Sequence, residues 1–387
     1  MSPEHRASAP LIAAAFGDPG RAHGSSPVVA STPELRTPVH VRPDSVFALD
    51  TKSDGSASTP AFEAENIRGL DDLGPHRYDS GVLSLAGDDP RAASGEHNGL
   101  VYTCRAGFID TSRVRDSADM TLFLSSEIEL RLDRGGAIAL ADQGGTRYVL
   151  VRRIDSAGGP LQRRVLAANL AAWAAFQISV WRDIARWYGY GTQPGLPERV
   201  VAFTPPGLYS DLLGVEIGRA VAIGDSAAGL VGDRAVDAWI AGSLEYAGIV
   251  PQASAVAALR SLDGTWWDSS RSPPDWKLVR RRRFDIGDES TPWLVSAADA
   301  DEGSFRDCHE RGEVLELRNP AHLDGIVFGE VVNFEIEVDE RLADHGFPFP
   351  RSDSDIVTPA DFPAIIEQIR RENRDAMGEN ADRPGGS

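Results

Sequence analysis

"VLAANLAAWAAFQISVWRDIARWYGYG" (residues 165–191) decides the fold. Leu166, Leu170, Trp173, Gln177, Val180, Ile184 and Trp187 recur in steps of four and three, the period of one helical face. The apolar part, 165–181, is interrupted by Asn169, Gln177 and Ser179 and falls short of the ~20 apolar residues that a bilayer span requires. It therefore reads as a buried core helix over about 162–189, ended by Gly189 and Gly191. One residue conflicts with that reading. Phe176, Val180, Asp183 and Trp187 form a single stripe, so a carboxylate sits in the middle of an apolar face. Such a carboxylate must be paired, neutral, or solvated in a cleft, because an isolated buried charge is costly.

Outward from this helix the chain alternates helical and extended patterns. "GLVYTCRAGFID" (99–110) reads as a short buried strand or extended lead-in, and Asp110, Thr111 and Ser112 are credible N-caps for a helix running to about Leu132. Met120, Leu124 and Ile128 give that helix an apolar face. "AIALADQGGTRYVLVRRI" (137–154) reads as a hairpin turned at Gly144-Gly145. Further helices are expected at about 206–222, 230–248, 252–261 and 359–376. "WKLVRRRRFDIG" (276–287) reads as a strand with two arginines on each face, its charges protecting an exposed edge. "EVVNFEIEVDER" (330–341) alternates, with Val332, Phe334, Ile336 and Val338 directed inward. The fold class is α+β, a mainly helical core with peripheral β-hairpins or a small antiparallel sheet. The βαβ alternation of a doubly wound sheet is missing.

Residues 1–42, rich in Ala, Pro, Ser, Gly and charge, read as a disordered N-terminal segment, and 51–60 as a loop. Residues 43–376 read as a single α+β domain and 377–387 as a frayed tail. A net charge of −19 argues against nucleic-acid binding and against docking on an anionic membrane. The two cysteines, Cys104 and Cys308, are too few for a disulfide scaffold or a cysteine zinc site, so reduced thiols and a cytoplasmic location are expected. "LIAAAF" (11–16) is shorter than an ordinary signal-peptide core.

Phosphate loops, dinucleotide fingerprints, G-x-S-x-G and H-E-x-x-H are absent from the sequence. The eight histidines lie at 5, 23, 40, 76, 97, 309, 322 and 345, none of them between 98 and 308. The chemistry available to the core is therefore that of Asp, Glu and Arg. "FIDTSRVRDSADM" (108–120) offers Arg113 and Arg115 with Asp110, Asp116 and Asp119. Arg182 adjoins Asp183, Glu198 follows in "GLPERVVAF", and Tyr209 and Asp211 stand in "TPPGLYSDLLG". Three readings stay open. The first is a salt-bridge network that fixes two helices. The second is an active site, with Asp183 as acid or base, Arg113 and Arg182 orienting an anionic or enolic group, and Asp116 and Glu198 in support. The third is a non-catalytic pocket, or one holding magnesium or calcium on Asp110, Asp116, Asp183 and Glu198. Trp187, Tyr209, Trp266, Trp267 and Cys104 are the candidates for lining a small-molecule pocket. As a thiol, Cys104 fits a packed core position better than a nucleophile.

"GLVYTCRAGFIDTSRVRD", "WRDIARWYG", "PERVVAFTPPGLYSDLLGVEIGRA", "DGTWWD" and "RRFDIGDESTPWLV" together resemble domain-of-unknown-function family 4056, many of whose members are described as bacterial lipoproteins. The resemblance runs from about 98 to 297. It implies a histidine where this chain has Arg113, and a His-Glu pair where it has Arg182-Asp183. Arginine stays protonated and is neither a general base nor an ordinary metal ligand, so the resemblance implies a site rebuilt as an ionic cluster. The leading expectation is a cofactor-independent enzyme acting on a small molecule by non-redox cyclisation, isomerisation, dehydration or hydrolysis. The competing one is a binding or structural protein that keeps the fold of a metal- or histidine-dependent ancestor.

Overall fold

The computed structural model describes residues 64–78, 95–140, 142–154, 158–189, 198–224, 233–272, 275–295, 308, 312–340, 342, 346–348 and 356–378. The segment 1–42, the loop at 51–60 and the tail from 379 onward lie outside them.

β1 (Leu100–Thr103) and β2 (Gly107–Asp110) form an antiparallel hairpin, with Leu100 opposite Asp110. The sequence pattern alone reads 99–110 as one extended stretch, whereas the structure folds it in two. The reversal is made by Thr103, whose hydroxyl donates to Gly107 O and accepts from Ala106 N, each at 3.1 Å. Gly107 takes φ +65°, and a Cβ there would stand 2.2 Å from Trp293 O, so only glycine fits.

Asp110 then caps α1 (Thr111–Glu129), its Oδ1 accepting from Ser112 N at 3.0 Å and Arg113 N at 3.4 Å. The expected hairpin follows as β3 (Gly136–Leu140) and β4 (Gly145–Val151). The helix of 165–191 is α2 (Pro160–Trp187), with proline in its first turn. Next come α3 (Glu198–Val201), α4 (Gly207–Ile223), α5 (Asp233–Tyr246) and α6 (Gln252–Ser261). Two short pairs follow, β5 (Glu289–Ser290) with β6 (Leu317–Arg318) and β7 (His322–Leu323) with β8 (Ile326–Val327). The chain continues through α7 (Phe328–Val331), β9 (Val332–Val338), β10 (Ile356–Val357) and α8 (Phe362–Met377). Met377 thus belongs to a helix rather than to a tail, and Gly378 caps it in the left-handed conformation.

One four-stranded antiparallel sheet, in the order β10-β9-β4-β3, joins the early hairpin to the late strand. Val332, Phe334 and Ile336 of β9 are buried as their alternation predicts, and Val338 at the strand end is half-buried. α1, α2 and α4 make the helical core. Gly207, Gly214 and Gly218 lie on one stripe of α4 and bring it against α1. A Cβ on Gly214 would stand 2.1 Å from Val114 O, and one on Gly218 2.7 Å from Ala118 O. A second apolar cluster, with Tyr102, Phe108, Leu259, Trp266, Trp267 and Val279, lies under α6. Among the described residues no helix is long and apolar enough to cross a membrane.

The run 276–287 is not the expected edge strand. It opens with a 3-10 turn at Trp276–Leu278 and continues as an irregular extended segment. Arg280 and Arg281 are exposed, but Arg282 and Arg283 are buried. Neighbouring backbone carbonyls, with one serine hydroxyl, account for the difference. Arg282 donates to Trp276 O at 2.8 Å, Val200 O at 3.2 Å and Ala202 O. Arg283 donates to Thr291 O at 2.6 Å and Ser290 Oγ at 2.8 Å. A guanidinium carries five donors, and the carbonyls at the end of α3 and in the adjoining turns supply acceptors that a regular ladder would have consumed.

Candidate functional site

Asp183 lies near the C-terminal end of α2, fully buried, and faces Arg113 in the first turn of α1. Arg113 grips it with both amino groups, Nη2 to Oδ1 at 2.5 Å and Nη1 to Oδ2 at 3.1 Å. Nη1 also donates to Asp211 Oδ2 at 2.7 Å, which brings in α4. Arg182 Nη2 donates to the other Asp211 oxygen at 2.5 Å, and its Nη1 lies 3.9 Å from Asp116 Oδ2. Ser117 adds a hydroxyl to Asp211 Oδ1 at 3.2 Å, and Phe203 N donates to Asp183 Oδ2 at 3.2 Å. Arg186 Nη1 stands 3.9 Å from Asp183 Oδ1, one helical turn away.

Three helices therefore meet on one alternating chain of charges: Arg186, Asp183, Arg113, Asp211, Arg182, Asp116. Arg182 and Arg186, like charges four residues apart on α2, each stand beside a carboxylate, Asp211 for the first and Asp183 for the second. Gly207 makes room for the Arg113 head, since a Cβ there would stand 2.8 Å from Nη1. Burial opposes the charge on Arg113, but the carboxylates of Asp183 and Asp211 outweigh it and hold the guanidinium more firmly protonated than usual. Burial raises the Asp110 carboxyl, with Arg113 opposing. Phe203 is held at φ +53°, an uncommon conformation for a bulky side chain. Its N–H serves Asp183 and its carbonyl accepts from Arg283 N at 2.8 Å.

Each oxygen of Asp183 and of Asp211 meets a donor of the chain itself. Such carboxylates stabilise a guanidinium array and fix helix positions. To act on a substrate, one of them would first have to surrender an arginine or a backbone N–H.

The structure thus brings Asp183, Arg113, Arg182 and Asp116 together. Glu198 opens α3, and its side chain lies outside the described residues. Trp187 lies one turn beyond Asp183 and packs edge-on against Trp276. Tyr209 is buried on α4 and donates to Leu315 O at 2.6 Å. Trp266 and Trp267 belong to the second apolar cluster, where Trp266 packs against Trp293, and not to the charged site. Cys104 packs in the second apolar cluster, but its expected reduced state is corrected: it is bonded to Cys308, 204 residues away, and is not a free thiol. The turn after β1 places its sulfur at the edge of the second cluster, within reach of a segment that no local pattern relates to it. Of the oxygen ligands considered for magnesium or calcium, Asp110 caps α1, Asp116 faces Arg182 and Asp183 is held by Arg113. Among the described residues no three His, Cys, Asp or Glu form a group that could hold a metal ion.

Sequence reasoning placed Asp211 within reach but outside the site. The missing signal was its stripe: Gly207, Asp211, Gly214 and Gly218 share the face that α4 presents to α1. It also passed over a second buried cluster. His76 lies between two carboxylates, with Nε2 2.9 Å from Asp119 Oδ1 and Nδ1 3.3 Å from Glu96 Oε2. Arg77 N donates to Glu96 Oε2 at 2.9 Å, Asp237 Oδ1 accepts from His76 N at 2.8 Å, and Arg115 Nη1 stands 3.7 Å from Glu96 Oε1. Burial alone would lower the imidazole, but hydrogen bonding and charge from Asp119 and Glu96 raise it to about 9. Burial would raise Glu96, but His76 and Arg115 hold it down to about 2.

A family model described as "Protein of unknown function (DUF4056)" matches residues 32–296. The match takes in α1, α2 and α4, which carry the ionic network, and begins upstream of residue 42, inside the stretch whose composition reads as disordered. No curated protein and no solved structure matches the chain.

Proposed function

The chain belongs to the DUF4056 family, and within it we propose a non-catalytic binding or structural protein whose Arg113–Asp183–Asp211–Arg182 network is an internal clamp on three helices. One observation carries this reading: both carboxylates are 0% exposed, and all their oxygens meet donors of the chain itself. A general acid or base needs a route to its substrate and a geometry from which a proton can move. The resemblance supports the same view, because a histidine pair able to titrate near neutrality would be replaced here by arginines that do not.

The Cys104–Cys308 disulfide supports an oxidising compartment over the cytoplasm, where thiols are kept reduced.

A second reading, the small-molecule enzyme, is favoured by Phe203. Strained backbone collects at active sites, and this residue holds its N–H on Asp183. There Asp183 would be acid or base in a non-redox cyclisation, isomerisation, dehydration or hydrolysis, with Arg113 and Arg182 orienting the substrate.

The two readings separate on Asp183→Asn. The clamp predicts a folded but markedly less stable protein. Mass spectrometry of a small-molecule library incubated with the wild-type protein is expected to show no conversion. A conversion that disappears in Asp183→Asn at unchanged thermal midpoint would establish the enzyme instead.

A further inference from the structure

Below the clamp, where α2 ends, two arginines share one pair of tryptophans. The Arg199 guanidinium carbon lies 4.0 Å from the Trp187 ring centre and 4.1 Å from that of Trp276. The Arg282 carbon lies 5.4 and 5.6 Å from the same two centres. The indoles stand 5.2 Å apart at 69°, so the cations occupy the corner between them. Cations favour indole faces, but two like charges in one corner repel.

The counter-charge does not match. Among the described residues Arg282 has backbone carbonyls as acceptors and no carboxylate within ion-pair distance, and its buried Nε has no partner. Glu372 is the carboxylate of the corner, 3.8 Å from Arg199, with its Oε2 already accepting from Trp187 Nε1 at 2.8 Å and its Oε1 from Gln368 at 3.0 Å. The buried Tyr188 hydroxyl stands beside Glu372 as well. The aspartates of the upper clamp are gripped by its own arginines, and Asp183 reaches Arg282 only through space, so Arg282 is a buried cation with no carboxylate at ion-pair distance among the described residues. Burial and the charge of Arg199 push Arg282 down to about 9, with Asp183 opposing. The corner opens on the Arg199 side, where the Arg199 and Glu372 side chains are about one-third exposed, and Arg282 and Trp187 form its buried floor.

We propose that this corner is an anion-binding site, in which a carboxylate or phosphate group of a small molecule bridges Arg199 and Arg282 against Trp187 and Trp276. A bridging anion supplies negative charge and accepts charge-assisted hydrogen bonds from the Arg199 guanidinium and from the unpartnered Nε of Arg282. The indoles exclude water from one side of it.

The test is calorimetric titration of the whole chain with sodium phosphate and, separately, sodium acetate, against sodium chloride at matched ionic strength. Saturable binding of either anion beyond the chloride response supports the site. Phosphate alone assigns a phosphate group, acetate alone a carboxylate. Arg199→Gln is the informative variant, because Arg199 is partly exposed whereas Arg282 also anchors three carbonyls. It should weaken binding by about tenfold, the loss of one charge-assisted contact, at an unchanged circular-dichroism spectrum. Arg199→Lys should recover part of it. A response no greater than chloride for both anions, or undiminished binding by Arg199→Gln, overturns the proposal.

Discussion

Arg113 Nη2 meets Asp183 Oδ1 at 2.5 Å across seventy residues of chain, with the two side chains 1% and 0% exposed. Removing one partner of a buried pair strands the other. Asp183→Asn should therefore cost about 3–5 kcal/mol, read as a lower urea midpoint. Replacing both ends, Arg113→Met with Asp183→Leu, should cost less than the two single changes added together, because neither member of the pair strands the other, while Asp211 Oδ2 loses its Arg113 donor in the single and the double variant alike. Additive losses would mean that the two side chains do not act as a unit.

The α1–α4 interface gives a sharper contrast, because it rests on backbone approach. Gly214→Ala places a methyl 2.1 Å from Val114 O, which no rotamer change can relieve. The helices must separate, at a cost of about 1–3 kcal/mol or more, and the clamp separates with them. Gly287→Ala is the control: no atom lies within 4 Å of its Cβ position and its φ is ordinary. It should change stability by about 1 kcal/mol or less, with the sign favouring alanine. Equal melting temperatures for the two variants would remove close helix contact as the reason for the glycines.

What the sequence shows and what it hides divide along physical lines. Periodicity exposes α2, α8 and β9, because burial on one face imposes a period. Gly144-Gly145 exposes the β3–β4 turn, because positive φ selects glycine. Asp183 is legible as an anomaly on an apolar stripe, and Arg113 as a partner within reach. Asp211 was harder: an aspartate beside a serine near a helix start looks like surface, and only its register with three glycines betrays it. The Cys104–Cys308 bond, the buried Arg282 and the His76 cluster arise from tertiary contacts between distant segments. No local composition distinguishes a buried arginine that donates to backbone carbonyls from one that solvates an edge.

The disulfide makes a prediction independent of the charged site. Unfolded under non-reducing conditions, the protein should show no free thiol, and Cys104→Ser with Cys308→Ser should lower stability by about 2–5 kcal/mol, towards the upper end because the closed loop is long. Wild-type protein in excess dithiothreitol should match the double variant. Two titratable thiols in freshly isolated protein would return the chain to a reducing compartment.

The His76–Glu96 pair fixes how stability varies with pH. His76 moves from 6.5 unfolded to about 9 folded, so its contribution is complete below about 6.5 and is lost as pH rises through 9. Glu96 moves from 4.5 to about 2, so its contribution is complete above about 4.5 and is lost as pH falls through 2. Stability from this cluster is therefore flat between those limits and declines on both sides. Because His76 and Glu96 are partly each other's partners, with Asp119 adding to the first shift and Arg115 to the second, the two contributions overlap, and the whole effect is on the order of 3 kcal/mol rather than the sum. His76→Gln removes the imidazolium and should abolish the decline between pH 6.5 and 9 while lowering stability at pH 6. Urea midpoints measured at half-unit intervals resolve this. An alkaline slope that persists unchanged in His76→Gln would assign it to another group and leave His76 as a packing residue alone.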